Sequence, residues 1–390
     1  TSVLLLPWAG LGWIVLLAVR ATHRRGWADP AAIAVVVFTV GGVNATALAM
    51  IVPAPCLWLV HEVWRRAIGW RDAAVVAGRT AVLCVGVSLW WVAMLLLQSR
   101  HGVDVLPYSE SLRDVSITAT SPEVWRGLGY WLFYVRDAFG PATSESLRYL
   151  VSTPAIVGSF AVPLVGVAGL VWTRWTHRRF AALLVVTGLV LAVGVHPIDD
   201  RAPLIRLLVG DGDVGLALAL RSSTRALPLL ALGLALGTGA VVAASADLAR
   251  SRQGAAPIRL LTATAAVAIA VVNVPALWTG ALVDPLLERD QDPPPAWRDA
   301  AAALDEHDEG GRVLQLPGAE FGTFDWGHTV DQPLPGMTAV PILTRDLLPL
   351  GEPPAMDLLF ALDDRLQDGV LEPESIAPVA RLLGVDTVWL

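Results

Sequence analysis

Long apolar stretches separated by arginine-rich junctions dominate this sequence between Val3 and Trp278. An α-helix needs roughly 20 apolar residues to cross the hydrocarbon core of a bilayer, and several stretches reach that length. Hydrophobic residues fill 55% of the 390 positions, and the mean hydropathy is +0.58. This composition excludes an ordinary soluble domain and predicts a bundle of membrane-spanning helices.

Charge divides the chain into two regions. Residues 1–283 contain 22 arginines and 14 acidic residues, whereas residues 284–390 contain 6 arginines and 21 acidic residues. A proline-rich linker at 290–295 follows the last apolar stretch. We therefore expect an α-helical polytopic membrane bundle over residues 1–281, followed by an extracytoplasmic soluble α/β domain over residues 282–390.

The arginine clusters predict the orientation, because short cytoplasmic loops are enriched in positive residues. Four such clusters occur, at 20–25, 65–79, 174–179 and 250–259. They place two long loops, 101–154 and 196–224, on the outer side together with the acidic domain. The alternation predicts spanning segments at 3–19, 80–97, 155–172, 180–195, 225–246 and 260–278.

The stretch 31–64 is apolar but interrupted by a glycine pair and two prolines, Gly41, Gly42, Pro53 and Pro55. It either crosses the membrane twice as a short hairpin or re-enters on the same side. Asn44 and Thr46 are polar groups at membrane depth, where helix–helix hydrogen bonding is the first interpretation and substrate contact the second. For His61 and Glu62 we expect side chains that snorkel to the interface.

The first outer loop contains a helix start at Ser121, Pro122 and Glu123. Apolar residues that would share one face of the helix follow it, namely Trp125, Leu128, Leu132 and Phe139. We expect a helix that lies in the membrane interface, or one that packs on the bundle.

The acidic region alternates helix and strand patterns. It predicts a helix at 297–307, a strand at 312–316, a helix at 375–383 ended by Gly384, and a strand at 385–390. Because this last strand reaches the final residue, we expect the domain to be incomplete at its C-terminus and the chain to be an internal piece of a longer protein.

Motifs of soluble enzymes, such as phosphate loops, nucleophile elbows and zinc spacings, do not occur. The candidate chemistry therefore lies in polar residues of the outer loops. Candidate ligands of a donor phosphate are Arg201, Arg221, Ser222, Ser223 and Arg225. Arg221 and Arg225 are one helical turn apart, and paired guanidinium groups at a helix start suit a lipid phosphate. Anchoring at the membrane interface is the alternative.

Acidic residues of the outer loops are candidates for proton transfer. They are Asp137, Asp199 and Asp200, any of which is otherwise a solvated surface charge. Asp211 and Asp213 form an Asp-x-Asp pair that suits a divalent cation or, alternatively, a turn. The two cysteines, Cys56 and Cys84, predict neither a disulfide framework nor a metal site.

One loop of the acidic region combines aromatic and polar side chains. Its candidates for sugar binding are Asp325, Trp326, His328 and Asp331. A ring face can stack on a sugar while carboxylates bind its hydroxyl groups. In the alternative interpretation, Trp326 anchors a loop shaped by glycine and proline.

Short motifs are scattered through the chain. In the acidic region they are Arg312–Gly318, Phe321-Gly322, Trp326-Gly327, Asp331–Leu334, Thr344–Asp346 with Pro349-Leu350, and Ala380–Trp389. In the membrane region they are Gly41–Thr46 and Arg221–Arg225. The sequence resembles, through these motifs, the actinobacterial α-(1→3)-arabinofuranosyltransferases of the AftD type.

The resemblance implies a large membrane glycosyltransferase of the GT-C architecture. Its donor would be decaprenyl-phosphoryl-arabinofuranose, and its polysaccharide acceptors would be the growing arabinans of arabinogalactan and lipoarabinomannan. Transfer would occur at the outer face of the cytoplasmic membrane, with membrane lipid as a partner and no nucleic acid. The resemblance places the catalytic carboxylate in a first external loop, which we expect upstream of Thr1, and the carbohydrate-binding modules beyond Leu390. A divalent cation is the one cofactor left open.

Two other functional classes remain alternatives: a transporter or flippase of lipid-linked sugars, and a non-catalytic scaffold for cell-wall assembly. A transporter is expected to show internal repeats and ionisable residues near the membrane midplane. The charges in this sequence cluster at the ends of the apolar stretches. That distribution favours an enzyme acting at the outer surface.

Overall fold

The computed structural model describes residues 2–101, 111–137, 140–141, 143–201, 203, 206–207, 222–250, 255–274, 276–280, 292–307, 310–319, 322–346 and 351–390. The chain divides into two compact units. The first comprises Thr1–Ala93 and Ser111–Val283, and the second comprises Met94–Glu110 and Asp284–Leu390.

Helices form most of the first unit. In chain order they are α1 (Ser2–Arg24), α2 (Ala28–Gly41), α3 (Ala45–Ile51), α4 (Pro53–Trp64), α5 (Trp70–His101), α6 (Leu112–Thr118), α7 (Ser121–Trp125), α8 (Glu145–Val151), α9 (Thr153–Trp172), α10 (Arg178–Val193), α11 (Leu227–Arg250), α12 (Ala255–Val272) and α13 (Ala276–Thr279). Short 3-10 helices lie at Trp131–Tyr134, Ile198–Asp200 and Ser223–Ala226. A two-residue antiparallel pair joins β1 (Arg136–Asp137) to β2 (Gly140–Pro141).

Four helical segments of the described chain are long and apolar enough to cross a membrane, namely Ala45–Trp64, Trp70–Arg100, Thr153–Trp172 and Ser223–Ser245. They confirm the spans predicted at 80–97, 155–172 and 225–246. Two further apolar helical stretches, Ala28–Gly41 and Leu260–Ile269, are shorter. The chain is therefore a multi-pass membrane protein.

The interrupted stretch forms the three helices α2, α3 and α4. α2 ends at Gly41, and the Asn44 side chain then caps α3 by accepting a hydrogen bond from the Ala47 amide at 2.8 Å. α3 and α4 form a nearly continuous segment of 20 residues, which spans about 30 Å. Pro53 opens α4, where no earlier helical hydrogen bond is lost. This length suits a full crossing better than re-entry.

Close helix packing fixes the core of the first unit. A Cβ atom on Gly169 of α9 would collide with the backbone of Gly237 in α11, and one on Gly237 would collide with Gly166. A Cβ atom on Gly188 of α10 would lie 2.4 Å from the backbone nitrogen of Leu230 in α11. Small residues at such positions let membrane helices approach at backbone distance. α11 is thereby held against both α9 and α10.

The interfacial helix predicted in the first outer loop is wrong. α7 ends at Trp125, and the aromatic residues beyond it lie in the 3-10 helix Trp131–Tyr134. Gly127 and Gly129 adopt φ values of +79° and +95°, a backbone conformation that ends a right-handed helix. Trp125 and Leu132 therefore lie in separate helical segments, and Phe139 lies outside the described residues.

The second unit contains both strands and helices. The strands are β3 (Arg312–Gln315), β4 (Gly322–Phe324), β5 (Gly327–Val330), β6 (Ile342–Leu343) and β7 (Val385–Trp389). The helices are α14 (Pro295–Glu306), α15 (Pro353–Gln367) and α16 (Ile376–Leu383). A three-stranded parallel sheet has the order β6-β3-β7, whereas β4 and β5 form an antiparallel hairpin.

The elements predicted for the acidic region are confirmed within one or two residues, as α14, β3, α16 and β7. Gly384 ends α16 with φ +67°, the left-handed conformation typical of helix C-termini. Leu314 of β3 and Leu316, which follows this strand, are buried and pack with Met356 and Leu359 of α15. This apolar contact builds the core of the second unit.

Candidate functional site

One end of the helices of the first unit brings two distant polar residues together. Arg225, two residues before α11, donates from Nη1 to the side-chain oxygen of Asn44 at 3.4 Å. These residues lie 181 positions apart, and each lies at the start of a segment long enough to span a membrane.

The hydroxyl residues beside Arg225 are used in packing. Ser222, Ser223 and Thr224 are 2–3% exposed. The Ser223 hydroxyl donates to the Ala192 carbonyl at 3.0 Å, which ties the turn to the last residues of α10. Ser222 precedes the 3-10 helix Ser223–Ala226 without forming a side-chain cap. Among the described members of the predicted phosphate group, Arg201 and Arg225 are partly exposed.

The acidic residues of the second outer loop face solvent. Asp199 and Asp200 lie in the 3-10 helix Ile198–Asp200, and the Asp200 side chain is 89% exposed. Its carboxylate pairs with Arg206 at 3.1 Å, and Arg201 donates to the Ile198 carbonyl at 3.2 Å. The described hydrogen bonds of Asp200 and Arg201 lie within this loop.

Sequence reasoning missed a buried polar network in the first outer loop. The Arg126 side chain is 5% exposed and donates to Glu123 Oε1 at 2.6 Å, to Ser159 Oγ at 2.8 Å and to the Tyr149 carbonyl at 2.6 Å. The Tyr134 hydroxyl donates to Glu123 Oε2 at 2.5 Å. Burial, and then this hydrogen bond, raise the pKa of Tyr134 well above its usual range. The i,i+3 spacing of Glu123 and Arg126 was the available signal.

Several predicted residues lie outside the described part of the chain. They are Arg221, Asp211 and Asp213. Asp137 lies in β1, and His328 lies in β5, but their side chains are also outside the described structure.

The aromatic loop of the second unit is anchored by its tryptophan. The rings of Trp326 and Phe324 stack with centroids 4.9 Å apart, and Trp297 of α14 packs edge-on against both. Asp325 and Asp331 are exposed at the ends of this hairpin. The contacts of Trp326 match the anchoring interpretation, and its ring is half-buried.

A second polar cluster lies at the arginine-rich end of the first unit. His61 Nε2 lies 3.3 Å from His177 Nδ1, and Arg65 donates to Glu62 Oε1 at 2.6 Å. We call these four residues the histidine cluster. His61 and Glu62 are each 1% exposed, so the expectation that they snorkel to the interface is wrong. α4 presents both side chains to the α9–α10 junction, where His177 lies.

Comparison with known proteins shows which protein family the chain resembles. Residues 1–390 match the sequence model described as "Alpha-(1->3)-arabinofuranosyltransferase, N-terminal GT-C domain". An α-(1→3)-arabinofuranosyltransferase of Mycolicibacterium smegmatis is 30% identical over 393 residues, covering 97% of this chain and 26% of that protein. The enzyme of that name from Mycobacterium tuberculosis is 30% identical over 387 residues, covering 90% of this chain and 25% of that protein.

Solved structures agree on the fold. A cryo-EM structure of the arabinofuranosyltransferase AftD from mycobacteria superposes with a TM-score of 0.65 and 22% identity, covering 99% of this chain and 24% of that one. The chain thus spans about a quarter of the length of the relatives it matches. It belongs to the AftD family of α-(1→3)-arabinofuranosyltransferases and corresponds to their N-terminal GT-C domain.

Proposed function

We propose that the intact protein transfers arabinofuranose from a polyprenyl-phosphate donor to cell-wall arabinan at the outer face of the cytoplasmic membrane. The contact between Arg225 and Asn44 carries this proposal, because it places a guanidinium group where two spanning segments begin. A polyprenyl-phosphate donor needs apolar surroundings for its tail and a cation at the interface for its phosphate. The family relationship supports the sugar and the reaction class.

The chemistry of the leaving group favours an arginine at this position. Inverting transfer requires a base to remove the proton of the acceptor hydroxyl, whose oxygen then attacks the anomeric carbon as the bond to the phosphate oxygen breaks. The departing polyprenyl phosphate gains one negative charge in this step. A pre-positioned guanidinium stabilises that charge more in the transition state than in the bound donor. Asn44 would orient the guanidinium through its hydrogen bond.

The geometry of α11 supports an outer position for Arg225. This helix has 24 residues, so its two ends are about 36 Å apart. It ends at Arg250, at the start of one of the four arginine clusters. If those clusters face the cytoplasm by the positive-inside rule, Arg225 faces the opposite side. By the same rule we propose that residues 282–390 form an extracytoplasmic domain.

We assign no catalytic base among the described outer carboxylates. Glu123 is paired with Arg126 and accepts a hydrogen bond from Tyr134, whereas Asp200 is paired with Arg206 at the surface. Both carboxylates are therefore already engaged by arginine side chains.

The test uses the intact protein in membrane fractions with a radiolabelled polyprenyl-phosphoryl-arabinofuranose donor and a synthetic arabinan acceptor. Arg225→Ala should lower the transfer rate by about 10- to 100-fold, because hydrogen bonds to charged groups contribute about 1.5–3 kcal/mol. Arg225→Lys should retain part of the rate, because lysine keeps the positive charge but cannot form the bidentate hydrogen bonds of a guanidinium group.

Arg206→Ala is the matched control, because Arg206 is exposed in the preceding outer loop and pairs with an exposed acid. It should transfer at the rate of the unmodified protein. An unchanged rate in Arg225→Ala, with a normal melting temperature, would show that Arg225 does not hold the donor.

A further inference from the structure

The histidine cluster has the atoms of a metal site. His61 Nε2, His177 Nδ1 and Glu62 Oε1 form a triangle with sides of 3.3, 3.8 and 3.9 Å. We propose that these three residues bind a divalent transition-metal ion of the zinc class, which joins the end of α4 to the α9–α10 junction. This site is at the opposite end of the α3–α4 segment from Asn44 and is independent of the proposed transfer reaction.

The dimensions of the triangle suit tetrahedral coordination. With metal–ligand distances of about 2.1 Å, neighbouring ligand atoms of a tetrahedral zinc site lie about 3.4 Å apart. The shortest side matches this value, and the other two exceed it by no more than about 0.5 Å. Small side-chain adjustments are therefore enough to bring all three ligands onto one ion.

Aromatic side chains pack around the two histidines and exclude water from them. The Trp58 ring lies 4.9 Å from the His177 ring and 5.8 Å from the His61 ring, and Phe180 packs edge-on against Trp58. His61 Nδ1 is buried and has no hydrogen-bond partner among the described residues. Contact with His177 thus satisfies one nitrogen of His61 and leaves the other unsatisfied, whichever tautomer forms.

Buried Glu62 needs a cation, and Arg65 supplies one in this structure. Arg65 Nη1 lies 2.6 Å from Glu62 Oε1 and 3.4 Å from His177 Nδ1, so the guanidinium contacts two of the three proposed ligand atoms. The Arg65 side chain is 31% exposed and can turn toward solvent. A metal ion would replace Arg65 as the partner of Glu62.

The donor set selects the ion. Two imidazole nitrogens and one carboxylate oxygen suit Zn²⁺ and its neighbours, whereas Mg²⁺ and Ca²⁺ prefer oxygen ligands throughout. His61 and Arg65 also line a pocket of about 360 Å³ with Arg174, Arg178 and Arg179. This pocket has room for water or an anion as the fourth ligand.

The experiment counts metal in the intact protein, purified in detergent, treated with chelator and dialysed against ZnCl₂. Metal analysis should show one equivalent of zinc fewer in His177→Gln and in His61→Ala than in the unmodified protein. His23→Ala is the control, since His23 is an exposed histidine at the arginine-rich end, and it should retain the full content. MgCl₂ should not replace zinc. Equal zinc content in His177→Gln and the unmodified protein would overturn the proposal, and so would equal content in all four proteins.

Arg65→Met separates a metal site from a simple buried ion pair. If Arg65 competes with the metal, this variant should bind zinc at least about tenfold more tightly, and zinc should restore the melting temperature that it loses in the metal-free state. If the cluster is only an ion pair, the melting temperature of Arg65→Met should lie below that of the unmodified protein both with and without zinc. That result would also overturn the proposal.

Discussion

The buried pair of Glu123 and Arg126 allows a quantitative test of the outer loop. Arg126→Met keeps much of the apolar length of the side chain and removes the guanidinium. Hydrogen bonds to Glu123, to Ser159 and to the Tyr149 carbonyl are lost together. Glu123 then keeps the Tyr134 hydroxyl as a donor but loses its positive partner. The variant thus leaves a largely buried carboxylate without a compensating charge.

The expected loss follows from the burial of both partners. Removing one partner of a buried ion pair costs about 3–5 kcal/mol. Because the Glu123 side chain keeps 19% exposure, we expect the lower end of that range, about 3 kcal/mol. Arg206 and Asp200 form a control pair, because their side chains are 55% and 89% exposed. Arg206→Met should therefore cost no more than about 1 kcal/mol.

The measurement is equilibrium unfolding of the intact protein in mixed micelles, followed by tryptophan fluorescence. The free energy of unfolding of Arg126→Met should fall by about 2 kcal/mol more than that of Arg206→Met. Adding Glu123→Gln to Arg126→Met should recover part of the loss, since no charge is then left buried. Equal losses in the two single variants would refute the assignment of a buried, stabilising ion pair.

Two further predictions test packing and orientation. Gly169→Val should abolish the folded, monodisperse fraction in size-exclusion chromatography, because a side chain there meets the backbone of α11, whereas Gly86→Val, which faces open space, should not. In a variant without native cysteines, Asp200→Cys should react with a membrane-impermeant maleimide in intact cells. Arg174→Cys should react only after membrane disruption, and the reverse pattern would contradict the proposed orientation.

Much of the fold was predictable because bilayer thickness imposes a length on apolar segments. The lengths of the apolar stretches alone were enough to predict α9 and α11. In the second unit, α16 was recognisable through its terminal Gly384, a residue type with a known conformational role. The wrong prediction of a helix in the first outer loop also came from relying on apolar spacing. Gly127 and Gly129 were visible in the sequence, but the apolar spacing around them was given more weight than their capacity to end a helix.

The sites were less predictable, because each depends on contacts between distant segments. Arg225 and Asn44 were both identified as unusual polar residues, but a single sequence does not reveal that residues 181 positions apart meet. His177 was interpreted only as part of an arginine-rich cytoplasmic junction. Its approach to His61 depends on how the end of α4 packs against the α9–α10 junction, which apolar periodicity does not specify.

The position of charge along the spanning segments argues for an enzyme over a transporter. In the four candidate spans, the charged residues other than Arg79 lie in the terminal turns, as does His61. Arg79, ten residues into α5, is the deepest of them, and its guanidinium donates to the Arg25 carbonyl at the arginine-rich end. A transporter of a charged lipid needs polar groups near the midplane, where its substrate must cross. Within the described spans the polar chemistry is instead confined to the two surfaces, which is what transfer at one face requires.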